Sequence, residues 1–389
     1  MREDLKEYRN RLDKIDRNLL EGLSERISVA NKIGKAKLHN SALKFRDFVR
    51  EEEILQSIMK KGEMYQLDPS HIRKLFSEII EYSVRVQEQK LYKTKDEEGL
   101  RVAYHGLKGS YSYLAAKTHF GSFKKFMKVG REASFESYET LGKMIEALVD
   151  GEQDFAILPL ENTTAGSINE SYDLLGKYDL KIVGEEILEV NHCLMALEKI
   201  PLHRIKRILS HPQALLQCSK FLDTLDCSKE AFSNTAMAAE YIHKLQDLSL
   251  GAIASPEAAE IYGLHILKNN ITNQFKNYTR LIVVSREERL YDQRVPCKTS
   301  LVFTLGHTKG ALIKALQVFE KYDLNLSKIE SRPKVNSPWE YVFYVDFEGN
   351  CQDSHVQDML TELSSKTTHM KNLGSYPSPL ERKVKGNQK

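Results

Sequence analysis

The sequence predicts three successive folds in one chain: an all-helical segment, an α/β segment and a smaller α+β segment. Three observations carry this reading. Apolar residues recur every three or four positions up to about residue 90, the period of a helix face. Beyond residue 100, short apolar runs alternate with helical stretches. From about residue 299, the patterns follow in the order β, α, β, β, α, β.

In the first segment Leu12, Ile15, Leu19, Leu23, Ile27, Ala30 and Ile33 lie on one helix face. The pattern holds from about Leu5 to Lys37, a helix of roughly 50 Å at the usual rise per residue. A second helix is expected from about Asp47 to Lys61, with Gly62 as its stop. A third starts at Asp68-Pro69, an N-cap acid followed by proline at the first helical position, and continues through Ile72, Phe76, Ile80 and Val84. Three helices of such unequal length cannot bury a stripe that long within one protomer. The expectation is therefore a dimer built on the long helix.

Residues 94–99 are charged and without apolar side chains, and read as a linker. Strands are expected at Arg101–Tyr104, Phe155–Leu158, Ile205–Leu209, Ala252–Ala254 and Leu281–Val284. A second linker spans 286–298. The last segment reads as strand Ser300–Leu305, helix Ala311–Tyr322, strands Asn325–Ser331 and Tyr341–Phe347, helix Gln352–Leu363 and strand Lys371–Ser375. That order is the ferredoxin-like arrangement. The domain limits are thus 1–93, 100–285 and 299–376, with a polar, basic, fraying tail at 377–389.

Composition narrows the function. The 57 basic and 54 acidic residues nearly balance, which argues against a dedicated nucleic-acid binder. No apolar run reaches the length of a membrane span. The charged N-terminus reads as neither signal nor transit peptide, and the five cysteines form no C-x-x-C pair; the expectation is a cytoplasmic protein with reduced thiols. Histidines and cysteines form no metal pattern, and no G-x-G-x-x-G follows a strand. Neither a metal nor another cofactor is expected.

The helical segment carries many cations at helical spacing. Arg26 and Lys37 stand eleven residues apart, close to three turns, or about 16 Å along the axis. Asp47, Arg50 and Glu51 share a face, as do Ser83 and Gln87. Solvated surface charges would look the same on spacing alone. With Arg9, Glu25-Arg26, Gly34 to Lys37, Arg46-Asp47, Arg50-Glu51 and the Ser83/Gln87 pair in order, however, residues 5–91 resemble the all-helical chorismate mutase domain. The resemblance implies an intertwined helical dimer and places substrate ligands on Arg9, Arg26, Lys37, Asp47, Arg50, Glu51, Ser83 and Gln87, with Arg9 reaching the other protomer's site. Chorismate rearranges to prephenate by a pericyclic shift, so the need is for orientation and for charge stabilisation at the breaking ether oxygen. By the same resemblance Lys37 and Gln87 face that oxygen, and Arg9 and Arg26 hold carboxylates.

In the middle segment polar clusters sit at strand ends: Gly106 to Ser112, Glu161 to Ile168, Ser210-His211-Pro212-Gln213 with Gln217 a turn later, and Asn277-Tyr278-Thr279-Arg280. In open α/β sheets ligands bind beyond strand ends, although each cluster alone reads as a turn. Together they resemble prephenate dehydratase over 101–285, with Leu107 where proline is frequent and Leu281 where phenylalanine is usual. This implies two α/β subdomains around a cleft, similar to periplasmic solute receptors. It makes Thr279 the hydroxyl donor to the leaving group, and Asn162, Ser210 and Gln217 positioning residues. Arg280 stands either as a carboxylate clamp or as an internal partner that orients Thr279. His211 reads as structural.

Residues 299–376 resemble the ACT regulatory domain through Gly310-Ala311-Leu312-Ile313 and Glu330-Ser331-Arg332-Pro333. Gly310 permits close approach at a helix N-terminus, whose free N–H groups suit a carboxylate. The resemblance makes these two segments a phenylalanine site at a dimer interface, with Trp339 near it. The three resemblances imply a bifunctional enzyme acting on chorismate and prephenate, inhibited by phenylalanine, and forming a homodimer or higher homo-oligomer. The alternative is a non-catalytic phenylalanine sensor that keeps the folds.

Overall fold

The computed structural model describes residues 2–38, 48–88, 100–121, 133–274, 276–289, 291, 295–334 and 340–377. Within helices, the side chains of Lys37 and Gln87 also fall outside the described set, as do Asp47, Trp339, the 94–99 linker and the 378–389 tail. The chain divides into a helical unit and a larger unit that holds both the α/β and the α+β segments.

The helical unit contains α1 (Arg2–Leu38), α2 (Phe48–Met64) and α3 (Pro69–Glu88). At 37 residues α1 is about 55 Å long. Both α1 and α2 pack against α3. The buried contacts are few: Ile27 and Ala30 on α1, and Leu55 with Ile80 and Val84 across α2 and α3. The rest of the α1 stripe is uncovered, with Leu12 58% and Leu19 61% exposed. The expected stop at Gly62 is corrected: α2 runs on to Met64, and the turn comes at Gln66, which takes a left-handed φ of 58°. Gly62 serves packing instead, because a Cβ there would come within 3.3 Å of Ile72 on α3. The Asp68 carboxylate accepts from the His71 N–H at 2.7 Å and caps α3.

The larger unit begins with a six-stranded sheet. Its strands are β1 (Arg101–His105), β2 (Ser134–Tyr138), β3 (Phe155–Asn162), β4 (Gly166–Ser167), β5 (Lys181–Glu189) and, much later in the chain, β11 (Tyr278–Ser285). The order is β2-β1-β3-β11-β5, with β4 beside β3. Helices α4 (Tyr111–Gly121), α5 (Leu141–Val149) and α6 (Asn169–Lys177) pack around it. The chain then crosses to a five-stranded sheet of order β10-β6-β9-β7-β8. Its elements are β6 (Cys193–Ala196), β7 (Arg207–Ser210), α7 (Pro212–Gln217), α8 (Ser219–Leu222), β8 (Ser228–Ala231), α9 (Thr235–Leu245), β9 (Leu250–Ala254), α10 (Pro256–Tyr262) and β10 (His265–Lys268). Strand β11 returns to the first sheet, so the two subdomains are joined by two crossings. They also touch through the Gly106–Ser110 loop. The Ser255 hydroxyl donates to the Gly109 carbonyl at 3.1 Å, and Tyr262 donates to the Lys108 carbonyl at 2.9 Å. Gly109 has φ +88°, and a Cβ there would lie 3.1 Å from Ala258.

The last segment comprises β12 (Cys297–Thr304), α11 (Ala311–Lys321), β13 (Leu326–Pro333), β14 (Tyr341–Glu348), α12 (Ser354–Lys366) and β15 (His369–Pro377). The sheet is antiparallel in the order β13-β14-β12-β15. Its helix side holds the core of Leu301, Phe303, Val318, Phe319, Phe347 and Met359. Its other side faces the α/β segment, with β15 against β5. There the Lys181 ammonium donates to the Asn372 carbonyl at 2.8 Å and Lys371 donates to the Tyr178 carbonyl at 2.7 Å. The expected linker 286–298 ends earlier than read, because Cys297 and Lys298 already belong to β12 and are buried.

The backbones meet closely across this joint at Gly374, where φ is +123° and a Cβ would fall 2.6 Å from the Ile182 carbonyl oxygen. Backbone cannot yield as a flexible side chain can. Gly374→Ala is therefore expected to destabilise the larger unit by about 2 kcal/mol or more. Urea unfolding followed by near-ultraviolet circular dichroism checks this; an unchanged midpoint would show that the two backbones are not held so close.

Candidate active sites

In the helical unit the structure brings Arg26 and Ser83 together. The Arg26 guanidinium donates to the Ser83 hydroxyl and to the Ile79 carbonyl at 3.2 Å, while the Ser83 hydroxyl donates to the same carbonyl at 2.9 Å. Ser83 is buried, and burial pulls the Arg26 pKa below its usual value. A half-desolvated cation held by a hydroxyl and a carbonyl is suited to receive a carboxylate. Arg9 and Arg50 are exposed, and Arg50 pairs at the surface with Glu53 at 2.9 Å; Glu51 is half-buried. Lys37, Asp47 and Gln87 are the expected ligands that lie outside the described residues. A bidentate pair that sequence reasoning did not single out, Arg73 with Glu52 at 2.7 and 2.9 Å, ties α2 to α3. The hydrogen bonds from Arg73 hold the Glu52 carboxyl down at about 2.

In the larger unit, strands β3 and β11 place Asn162 directly opposite Thr279. The Asn162 amide nitrogen donates to the Thr279 hydroxyl at 3.0 Å, to the Asn277 side-chain oxygen at 2.7 Å and to the Tyr278 carbonyl at 3.2 Å. Its oxygen accepts from the N–H groups of Thr164 and Ala165 at 3.0 and 2.8 Å, and from Gln217 at 3.5 Å. The Gln217 oxygen accepts from Asn277 at 3.1 Å. Residues from the two subdomains and from the returning crossing thus meet in one chain of amides around a hydroxyl. A cavity of about 250 Å³ lined by Thr164, Gln213, Gln217, Asn273 and Asn277 opens beside it.

Two expected site residues are placed elsewhere. Ser210 is fully buried, and its hydroxyl donates to the Ile253 carbonyl at 2.7 Å, so it ties β7 to β9 and does not join the network. Arg280 is no substrate clamp here. It is 4% exposed and paired with Asp346 at 2.6 Å, Glu185 at 2.7 Å and Glu161 at 3.4 Å, and it donates to the Tyr376 hydroxyl at 2.9 Å. Burial opposes its charge, but Asp346 and Glu185 outweigh burial and raise its pKa well above the ordinary value. Neighbouring residues of a strand point to opposite faces. Thr279 therefore faces Asn162, while Arg280 faces the C-terminal sheet. Lys298 pairs with Glu185 at 3.1 Å and Lys328 pairs with Glu161. Three cations and three carboxylates close the cluster without net charge.

On β13 a register shift between Leu326 and Lys328 turns Lys328, Glu330 and Arg332 towards the α/β segment. The Ser167 hydroxyl donates to Glu330 at 2.6 Å, and Arg332 reaches Asp173 at 3.4 Å. Ser331 and Pro333 are exposed. Gly310 caps α11 at φ +76°, and among the described residues beyond its chain neighbours no atom lies within 4 Å of the place its Cβ would take. Its glycine thus answers to the left-handed backbone, not to close protein packing. Ile313 is exposed, and Ala311 and Leu312 are half-buried.

Family models match the chain in two places: chorismate mutase type II over residues 8–88 and prephenate dehydratase over 102–289. A bifunctional chorismate mutase/prephenate dehydratase of Enterobacter agglomerans is 37% identical over 378 residues, 95% of each chain. The chain belongs to the bifunctional chorismate mutase/prephenate dehydratase family. The solved prephenate dehydratase of Arthrobacter aurescens in complex with L-Phe is 28% identical, with a TM-score of 0.64 over 72% of this chain and 90% of that one. A solved quorum-quenching acylase, GqqA, is 30% identical with the same TM-score, over 72% of this chain and 99% of that one.

The α/β segment of this mutase/dehydratase is accordingly its dehydratase domain, and the helical unit its mutase domain. The sequence motifs assign Asn277 no role and do not include His192, whose Nε2 lies 3.2 Å from the Gln217 side-chain oxygen. Nothing in composition marks a lone histidine between two strands.

Removing one partner of a buried ion cluster leaves the others uncompensated. Asp346→Ala is expected to cost the dehydratase unit about 3 kcal/mol, measured as the shift in its urea unfolding free energy. A loss below about 1 kcal/mol, the worth of an exposed pair, would mean that water reaches the cluster.

Proposed function

We propose that the two activities of this chorismate mutase/prephenate dehydratase reside on separate constellations. Chorismate is held on Arg26 and Ser83, with Lys37, Asp47, Arg50, Glu51 and Gln87 completing the site. Arg9 is supplied by a partner protomer. Seventeen residues separate Arg9 from Arg26, roughly 25 Å along a straight helix, so the two cannot clasp one small dianion within a protomer. The uncovered Leu12, Ile15 and Leu19 support a homodimer built on α1. The mutase step makes no covalent bond to the enzyme and moves no proton, so cationic and amide side chains suffice.

Prephenate lies against Asn162, Gln217 and Thr279, in a cleft between two α/β subdomains joined as in periplasmic solute receptors. The observation that carries this reading is the 3.0 Å bond in which Asn162 donates to the Thr279 hydroxyl oxygen. An oxygen that accepts there keeps its own hydrogen free to donate. Loss of CO₂ sends an electron pair into the ring as the ring C–O bond breaks. The departing oxygen, hydrogen-bonded to Thr279, leaves as water once it gains a proton. Threonine is too weak an acid to supply that proton for good, so its contribution is a hydrogen bond or a relay. The products are phenylpyruvate, CO₂ and water. A non-catalytic sensor would have no use for so complete a polar network.

The C-terminal segment acts as an ACT-type, ferredoxin-like sensor of phenylalanine through Gly310 to Ile313 and Glu330 to Pro333. Its βαββαβ order supports this, and so does the L-Phe complex of the Arthrobacter aurescens relative. The buried cluster behind Thr279 offers a route by which the sensor biases the dehydratase. Catalysis uses no metal or other cofactor, and the compartment is the cytoplasm.

Thr279→Val is expected to lower prephenate turnover by about a thousandfold while chorismate turnover stays at the parent rate, both followed by absorbance in the purified full chain. Retained phenylpyruvate formation would sink the dehydratase assignment. Phenylalanine is expected to suppress phenylpyruvate formation, and Gly310→Val to weaken that suppression at an unchanged uninhibited rate. Inhibition curves that superimpose for the two proteins would remove Gly310 from the effector site.

A further inference from the structure

We propose that His192 is a positioning residue of the dehydratase reaction: from the crossing between the subdomains it holds Gln217, and through Gln217 the amide chain that presents Thr279. This rests on the dehydratase reading above and adds a residue to it.

The argument follows the hydrogens. The Asn162 oxygen accepts from two main-chain N–H groups, which can only donate, so that amide has one possible orientation. Its nitrogen then faces Asn277 and Thr279. The Asn277 oxygen is thereby an acceptor, and its nitrogen points to the Gln217 oxygen at 3.1 Å. The same oxygen lies 3.2 Å from His192 Nε2. Since the Gln217 oxygen can only accept, Nε2 carries the hydrogen. The other ring nitrogen, Nδ1, is 3.5 Å from the Tyr111 hydroxyl, which donates to the Asn191 carbonyl at 3.1 Å.

Position adds to this. His192 stands between β5 and β6 on the outgoing crossing, and Asn277 stands just before β11 on the returning one. Gln217 ends α7 in the second subdomain, so its oxygen is gripped from both crossings at once. The ring is 3% exposed and sits edge-on to Tyr111 at 6.0 Å between centroids. Burial brings its pKa to about 4, so the ring is neutral near pH 7 and takes no charge into the network. Without the His192 N–H, one of the two described holds on the Gln217 oxygen is lost, the amide can rotate, and the Asn162 oxygen loses the Gln217 side-chain donor.

The test measures prephenate turnover by the full chain for His192→Leu and His192→Gln, alone and with Gln217→Met, beside Thr279→Val. His192→Leu is expected to lower kcat about tenfold with KM within about twofold, the scale of one lost buried hydrogen bond that acts on positioning. His192→Gln keeps an N–H within reach and is expected to recover kcat to within about threefold of the parent. In the Gln217→Met background, His192→Leu is expected to cause no further loss. Any one of three results overturns the proposal: a parent-like kcat for His192→Leu, equal losses for the Leu and Gln variants, or full additivity with Gln217→Met. If His192→Leu unfolds below the assay temperature, His192→Asn takes its place, since it stays polar but withdraws the N–H. Parent-like turnover by Thr279→Val would sink the dehydratase reading itself and is distinguishable from all three.

Discussion

The dehydratase unit depends on one cross-strand alternation. On paired strands β3 and β11, Asn162 faces Thr279 and Glu161 faces Arg280. Because successive side chains leave a strand on opposite sides, the first pair belongs to the amide network and the second to the joint with the C-terminal sheet. Front and back cannot move independently. A one-residue slip would place a guanidinium in the network and a threonine in the charged joint, so the register is held by both environments together.

The joint is electrostatically closed. Burying Arg280, Lys298 and the carboxylates that face them removes much hydration, and apolar residues of similar size would serve stability as well. What ions add is direction. The planar guanidinium of Arg280 meets carboxylates from two different segments, Glu185 from β5 and Asp346 from β14, and also the Tyr376 hydroxyl. The C-terminal sheet is thereby fixed to the back of the strand that carries Thr279, with Gly374 allowing the backbones to meet.

The helical unit follows the opposite logic. Its apolar stripe is longer than its own two shorter helices can cover, and its cations are spread along a helix of 37 residues. Arg26 finds Ser83 within the protomer, whereas Arg9 is far along the same rod. The homodimer proposed above would supply the remaining charge from the Arg9 of a second copy.

The sequence alone determined the order of folds and most of the elements, because helix and strand periods are local properties of the chain. The α1 stripe, the Asp68 cap and the βαββαβ order were all legible. Asn162, Gln217 and Thr279 were singled out through the resemblance of their motifs to prephenate dehydratase, since each strand-end cluster alone reads as a turn. Packing decided the rest. Gly62 read as a helix stop, yet it lies inside α2 because Ile72 needs its space. Lys298 read as linker charge, yet Glu185 draws it into a buried strand. Ser210 read as a substrate-positioning residue, but its hydroxyl goes to the Ile253 carbonyl; Arg280 read as either a clamp or an internal partner, and its hydrogens go to internal carboxylates. His192 had no local signal, because its partner Gln217 is twenty-five residues away and meets it only once two sheets have closed on each other. Period and capping are written along the chain; which polar group satisfies which is settled only when distant strands bring donors and acceptors within reach.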